Sequence, residues 1–137
     1  MLVTPTHIYC ANSGDSRSVL ARSADNESVA AVALSEDHKP DNDLERKRIE
    51  AAGGSVSESR VNGNLALSRA LGDFEYKLNK LKSYKEQMVT CLPEITKNER
   101  QRSDKFVVIA CDGIWDCLSN QQCVDLVESY LKRRTEV

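Results

Sequence analysis

The chain has 137 residues, enough for one domain, and a compact chain of this size buries roughly 70% of its unfolded surface. Charged residues make up 29% and hydrophobic ones 40%, with a net charge of −2. That balance offers no basic field for nucleic acid, and no apolar run approaches the roughly 20 residues of a membrane span.

The first five residues have neither the basic start nor the long apolar core of a signal peptide. Five cysteines (Cys10, Cys91, Cys111, Cys117 and Cys123) form no C-x-x-C pair. They give neither zinc spacing nor a disulfide framework, which points to the reducing cytosol or nucleus. Cys111 and Cys123 are expected as small core residues.

Residues 7–11 read as a strand and 18–22 as its return, a hairpin with the turn formers Asn12-Ser-Gly-Asp-Ser-Arg17 at its tip. Residues 29–34 read as a third strand, joined to the second by a hairpin loop at 23–27. His38 stands before Lys39-Pro40, where a hydrogen-bonded loop role outweighs acid or base work. Residues 41–45 resemble the start of a calcium loop, but Arg46 stands where glycine is needed, so calcium is excluded. Asn42 and Glu45 instead form a capping box for a helix over 43–52, ended by Gly53-Gly54. Its thin apolar face (Leu44, Ile49, Ala52) places it on a surface.

Residues 55–61 alternate weakly as a strand that ends at Asn62-Gly63, a tight-turn signal. Residues 65–73 read as a core-packed irregular segment, with Arg69 salt-bridged and Asp73 as a cap. The lysine-rich stretch 75–87 reads as a solvated loop. Residues 92–95 form an edge strand tolerant of Pro93, and 97–105 a charged loop. The six residues from Phe106 to Cys111 lack a polar side chain and read as a strand buried on both faces. The last helix opens with a capping box of Ser119 and Gln122 and a staple of Leu118 with Cys123. Its apolar stripe runs through 123, 124, 127, 130 and 131, and Lys132, Arg133 and Arg134 suit its negative end.

The chemistry gathers where the 106–111 strand stops. Gly113 allows a sharp turn after Asp112, and one helical turn there puts Asp116 on the same side as Asp112. Two carboxylates about 4 Å apart repel by roughly 4 kcal/mol at an effective dielectric near 20. A hard divalent cation, Mg²⁺ or Mn²⁺, relieves that repulsion. The competing reading makes Asp112 a helix cap and Asp116 a solvated helix residue. Asp15, on the 12–17 turn, is either a turn residue with local hydrogen bonds or a third carboxylate beside them.

Strands with packed helices suggest a layered, largely antiparallel α+β arrangement. Eight motifs then occur in order: Asn12-Ser-Gly-Asp-Ser-Arg17, Asp37-His-Lys-Pro40, Glu45-Arg-Lys-Arg-Ile49, Ala52-Gly-Gly54, Arg60-Val-Asn-Gly63, Leu67-Ser-Arg-Ala-Leu-Gly-Asp73, Pro93-Glu94 and Ala110-Cys-Asp-Gly-Ile-Trp-Asp116. Together they closely resemble the metal-dependent serine/threonine protein phosphatases of the PP2C (PPM) family, over nearly the whole chain.

The resemblance implies an antiparallel β-sandwich flanked by helices on both faces, a four-layer αββα fold. It implies two or three Mg²⁺ or Mn²⁺ ions in a complete domain and phosphoprotein substrates, with no nucleic acid or membrane partner. Phosphoserine and phosphothreonine would be hydrolysed by a metal-activated water, without a phosphoenzyme. By motif match Asp112 is a ligand of the catalytic ions, and Asp15 and Asp116 join it around a further, weaker ion. The segment 37–73 would form the flap beside the site, linked to substrate selection.

The family also carries, upstream, an acidic first strand, a phosphate-clamping arginine and an Asp-Gly-His-Gly-Gly segment, and downstream an Asp-Asn ligand. This sequence contains none of these. Residues 1–137 are therefore expected to be a partial phosphatase domain, from a fragment or a shortened gene model, inactive alone. The alternative is a catalytically dead phosphatase-like binding or regulatory module. Aspartyl-phosphate hydrolases are a third class, but they want a second aspartate two residues on, where Ile114 stands.

Overall fold

The computed structural model describes residues 1–23 and 28–135. In chain order the elements are β1 (Leu2–Val3), β2 (His7–Asn12), β3 (Arg17–Ser23), β4 (Val29–Ala33), α1 (Asp43–Ala51), β5 (Val56–Ser57) and β6 (Arg60–Val61). A 3₁₀ turn (Phe74–Tyr76) follows, then β7 (Glu94–Glu99), β8 (Asp104–Ala110), α2 (Asp112–Trp115) and α3 (Asn120–Thr135). The hairpin loop expected at 23–27 lies, beyond Ser23, outside the described residues. The chain divides into two compact units, one of Met1–Ala11, Ser16–Glu36 and Ile95–Val137, the other of Asn12–Asp15 and Asp37–Glu94.

The first unit is a β-sandwich of two three-stranded sheets, ordered β1-β2-β7 and β4-β3-β8. The pairings of β1 with β2, β3 with β4 and β3 with β8 are all antiparallel. Ile8 and Cys10 from β2 meet Leu20 and Leu34 in one buried cluster, with Val32 and Val107 packed on it. On the other face of β3, Val19 and Ala21 join Val29, Trp115, Cys123 and Val124 in a second cluster. Helix α3 therefore covers that outer face. Burying a side chain such as Leu20 or Val124 stabilises by about 1.5–3 kcal/mol.

Two expectations are corrected here. Strands β2 and β3 do not form a hairpin: they lie in different sheets, and the turn between them crosses the sandwich. Nor is the 106–110 strand the doubly buried one. Among the described strands β8 pairs with β3 only, at the sheet edge, and Ile109 is 61% exposed. β3 sits in the middle instead, with Val19, Leu20 and Ala21 at most 1% exposed. An unbroken apolar run cannot distinguish a central strand from an edge strand, because both faces of either can carry apolar side chains. The expected charged loop at 97–105 is mostly strand: β7 runs to Glu99, and only four residues separate it from β8. β7 does lie at its sheet edge.

Helix α3 starts as its sequence signals. Ser119 N–H donates to Gln122 Oε1 at 2.9 Å, and Gln122 N–H donates to Ser119 Oγ at 3.3 Å. Leu118 packs on the cluster that holds Cys123. The apolar stripe is buried only at its start, since Tyr130 and Leu131 are 60% and 47% exposed. Cys111 is also exposed, contrary to its expected core place, while Cys10 and Cys123 are buried.

In the second unit, α1 ends at Ala51 with Gly53 at φ +93°. Its capping box is absent. Asn42 makes no side-chain cap; its amide donates to the Asp37 carbonyl at 2.8 Å. Glu45 turns inward and is 2% exposed, while Leu44, expected on the buried face, is 77% exposed. Ile49, Val61, Ala70 and Val89 form the apolar core. The weak strand at 55–61 is a small hairpin that turns at Glu58 and Ser59, both with positive φ. Asn62 and Gly63 make a second turn, at φ +51° and +74°. The 75–87 stretch is largely exposed as expected, with Leu78 and Leu81 72% and 96% accessible.

Candidate metal centre

The apolar run of β8 delivers the chain to Asp112 at the end of the first unit's central-edge strand pair. Arg17, at the start of β3, lies opposite Ala110 in register. The next residues close one helical turn: Asp116 N–H donates to the Asp112 carbonyl at 2.8 Å. Asp112 and Asp116 thus stand one turn apart on the same side. Gly113 is not at positive φ, so this turn does not depend on a glycine. Asp112 carries no side-chain cap hydrogen bond at Cys111, and α2 has no capping side chain.

Both carboxylates are exposed. Neither makes a side-chain hydrogen bond or ion pair among the described residues. The buried residue of the turn is Trp115, whose indole Nε1 donates to the Ala110 carbonyl at 2.8 Å.

Asp15 lies in the second unit, on a turn where Gly14 has φ +136°. Its carboxylate is ion-paired with the Lys39 ammonium. His38 is 2% exposed and fastens the same turn: Nδ1 lies 3.1 Å from the Gly14 carbonyl oxygen, and Nε2 lies 3.1 Å from Glu94 Oε2. His38 is thus a hydrogen-bonded loop residue, as its position before Pro40 suggested. Arg69 is salt-bridged, also as read from the sequence, and its partner is Glu45 at 2.6 Å.

Among the described residues no group of three or more His, Cys, Asp or Glu side chains is placed to hold a metal ion on its own. The donors that do stand together fit a hard cation. Mg²⁺ commonly takes one or two carboxylates and fills its octahedron with water and phosphate oxygens. Asp112 and Asp116 supply two exposed carboxylates with no competing side-chain partner among the described residues.

Three residues carry little signal in the sequence. Lys39, the partner of Asp15, stands out only as lying two residues from Asp37. Glu45 has the spacing of a cap, but Arg48 three residues on is equally a helix-face partner. Arg17 gave only its place at the end of the turn motif.

The sandwich and the α+β architecture are those of a phosphatase fold. The Protein phosphatase 2C family model matches residues 1–137, and the chain belongs to that family. It is 50% identical over 127 residues to Protein phosphatase 2C homolog 2 of Schizosaccharomyces pombe, covering 93% of this chain and 33% of that protein. Against Protein phosphatase 1B of Rattus norvegicus it is 48% identical over 132 residues, covering 96% and 33%. A solved phosphatase from Toxoplasma gondii superposes with a TM-score of 0.84 at 36% identity, covering 94% of this chain and 39% of that one. The chain spans about a third of the length of the curated relatives it matches.

Proposed function

We propose that this chain carries part of the machinery of a metal-dependent protein serine/threonine phosphatase acting on phosphoserine and phosphothreonine. The Asp112–Asp116 turn, intact in a chain that matches the family along its whole length, carries the reading. Asp112 and Asp116 would hold Mg²⁺ or Mn²⁺, with Asp15 the further ligand that the family resemblance implies. When bound, such an ion stabilises charge on the transferring phosphoryl group and activates water at neutral pH. The chain's own part is to present two exposed carboxylates one helical turn apart, so that the ion finds its donors already placed.

The expected substrates are phosphoproteins, with no nucleic-acid or membrane partner, in the cytosol or nucleus. No helix among the described residues is long and apolar enough to cross a membrane. These 137 residues span about a third of the relatives' length, and by themselves are expected to turn over phosphopeptides poorly or not at all. The second reading is a catalytically dead phosphatase-like module that recognises phosphoproteins.

A chimera decides between them. This chain replaces the matching third of the Schizosaccharomyces pombe relative, and phosphopeptide hydrolysis is measured with and without Mn²⁺. Manganese-dependent turnover that Asp112→Asn abolishes supports the phosphatase reading. A folded chimera with no turnover supports the dead module.

A further inference from the structure

Helix α2 is four residues long, too short to hold its turn by its own hydrogen bonds. What fixes the positions of Asp112 and Asp116 is therefore whatever holds Trp115, the buried residue between them. The ring packs in the cluster of Val19, Ala21, Cys123 and Val124. Its Nε1 is tied to the Ala110 carbonyl. Its face is covered by Arg17, whose guanidinium carbon lies 5.2 Å from the ring centroid. The same guanidinium donates from Nη1 to Asn120 Oδ1 at 2.7 Å, at the first residue of α3. Arg17 thus joins the start of β3, the indole of the aspartate turn and the start of α3.

We infer that Arg17 is a positioning residue for the Asp112–Asp116 carboxylate pair, acting through its stack on Trp115 and its bond to Asn120. The inference rests on the cation reading proposed above, but it concerns a residue outside the donor set. Arginine suits the task because one guanidinium can sit over the indole and still donate a hydrogen bond to Asn120. A lysine ammonium is a point charge that keeps the cation–π attraction and loses the planar fork.

Two measurements on the full 137-residue chain test this. The first needs no metal: NMR hydrogen exchange of the Asp116 amide, the donor that closes the turn. In Arg17→Leu this amide is expected to exchange about three- to tenfold faster, the scale of one cation–π contact and one hydrogen bond, with β3 amides unchanged. Arg17→Lys should fall between. Equal exchange in Arg17→Leu and the unmodified chain overturns the inference.

The second is a Mg²⁺ titration read by fluorescence of Trp115, the one tryptophan of the sequence. The midpoint is expected to rise about three- to tenfold in Arg17→Leu, with the same end-point. An unchanged midpoint overturns the inference even if exchange has quickened. If the unmodified chain gives no Mg²⁺ response, as Asp112→Asn should, the cation reading fails, and the exchange result alone then decides whether Arg17 holds the turn. Should Arg17→Leu not fold, Asn120→Ala removes only the oxygen partner. A rise of about two- to threefold in either readout supports the inference, and no change in both overturns it.

Discussion

Arg69 grips Glu45 with two nitrogens: Nη2 lies 2.6 Å from Oε1, and Nε lies 3.1 Å from both carboxylate oxygens. Ser68 Oγ donates to Oε2 at 2.6 Å, and Arg48 Nη1 donates to the same oxygen at 2.7 Å. Arg48 and Arg69 also donate to the Ser68 and Leu92 carbonyls, so one carboxylate organises helix α1 and the irregular strands around it. A buried charge so completely paired costs little while intact and a great deal when one partner is removed.

The pH dependence of stability follows from that network. Burial pushes the Glu45 carboxyl up, but hydrogen bonds from Arg69, Ser68 and Arg48 outweigh it and hold the pKa at about 2, against an ordinary 4.5. A carboxylate whose folded pKa is depressed contributes stability that is complete above its unfolded pKa and lost as pH falls through the folded one. The second unit is therefore expected to lose about 3 kcal/mol between pH 4.5 and pH 2. Urea denaturation across that range measures it, and Glu45→Gln should flatten the dependence. Glu45→Ala, which leaves two half-buried guanidinium groups without their carboxylate, should destabilise by about 3 kcal/mol at neutral pH.

Asp112→Asn keeps the shape of the turn and removes one of its two charges. In an active chimera, Mn²⁺-dependent phosphopeptide hydrolysis should fall by roughly two orders of magnitude or more, as befits the loss of a stabilising electrostatic group. Chelation of the metal should abolish the activity, and Mn²⁺ should restore it. A rate unchanged in Asp112→Asn would remove this residue from the donor set.

Gln121 guards the outer edge of β4. Its Oε1 accepts from Ala31 N–H at 3.0 Å, and its Nε2 donates to the Val29 carbonyl at 2.7 Å, so a side-chain amide stands where a further strand would pair. Gln121→Ala should cost about 1–2 kcal/mol, two hydrogen bonds of ordinary net worth. Equilibrium denaturation should show a lower midpoint at unchanged slope. Light scattering should show more self-association, because an open edge is a template for pairing.

Glu58 and Ser59 turn the β5–β6 hairpin at φ +50° and +60°, which side chains other than Asn, Asp and Gly adopt reluctantly. Ser59 is retained by its hydroxyl bond to Asp41 at 2.5 Å. Glu58 makes no comparable contact within the turn, so Glu58→Asn should stabilise the second unit by about 0.5–1 kcal/mol. Thermal denaturation checks the sign, and a lower melting temperature would show that Glu58 contributes more than its strained backbone costs.

Some of this was legible before any coordinates. The Ser119–Gln122 capping box, the glycine stop after α1, the Asn62-Gly63 turn and the one-turn relation of Asp112 to Asp116 all appear where residue spacing put them. Each rests on contacts between residues three to five apart, and the backbone geometry of one turn is enough to close them. The same reasoning failed at Asn42 and Glu45, where a local cap competed with a buried pair formed by Arg69, 24 residues away.

Chain order and side-chain type carried the family resemblance, both longer helices, the strands at 7–11, 18–22 and 29–34, and the two carboxylates that share a turn. Only the folded chain could show that β2 and β3 face each other from opposite sheets, that β3 rather than β8 is central, and that Arg17 covers Trp115. Those relations join residues up to about a hundred positions apart. No periodicity encodes them, because they arise when apolar faces choose among several partners of equal hydrophobicity, and packing and hydrogen-bond satisfaction select one.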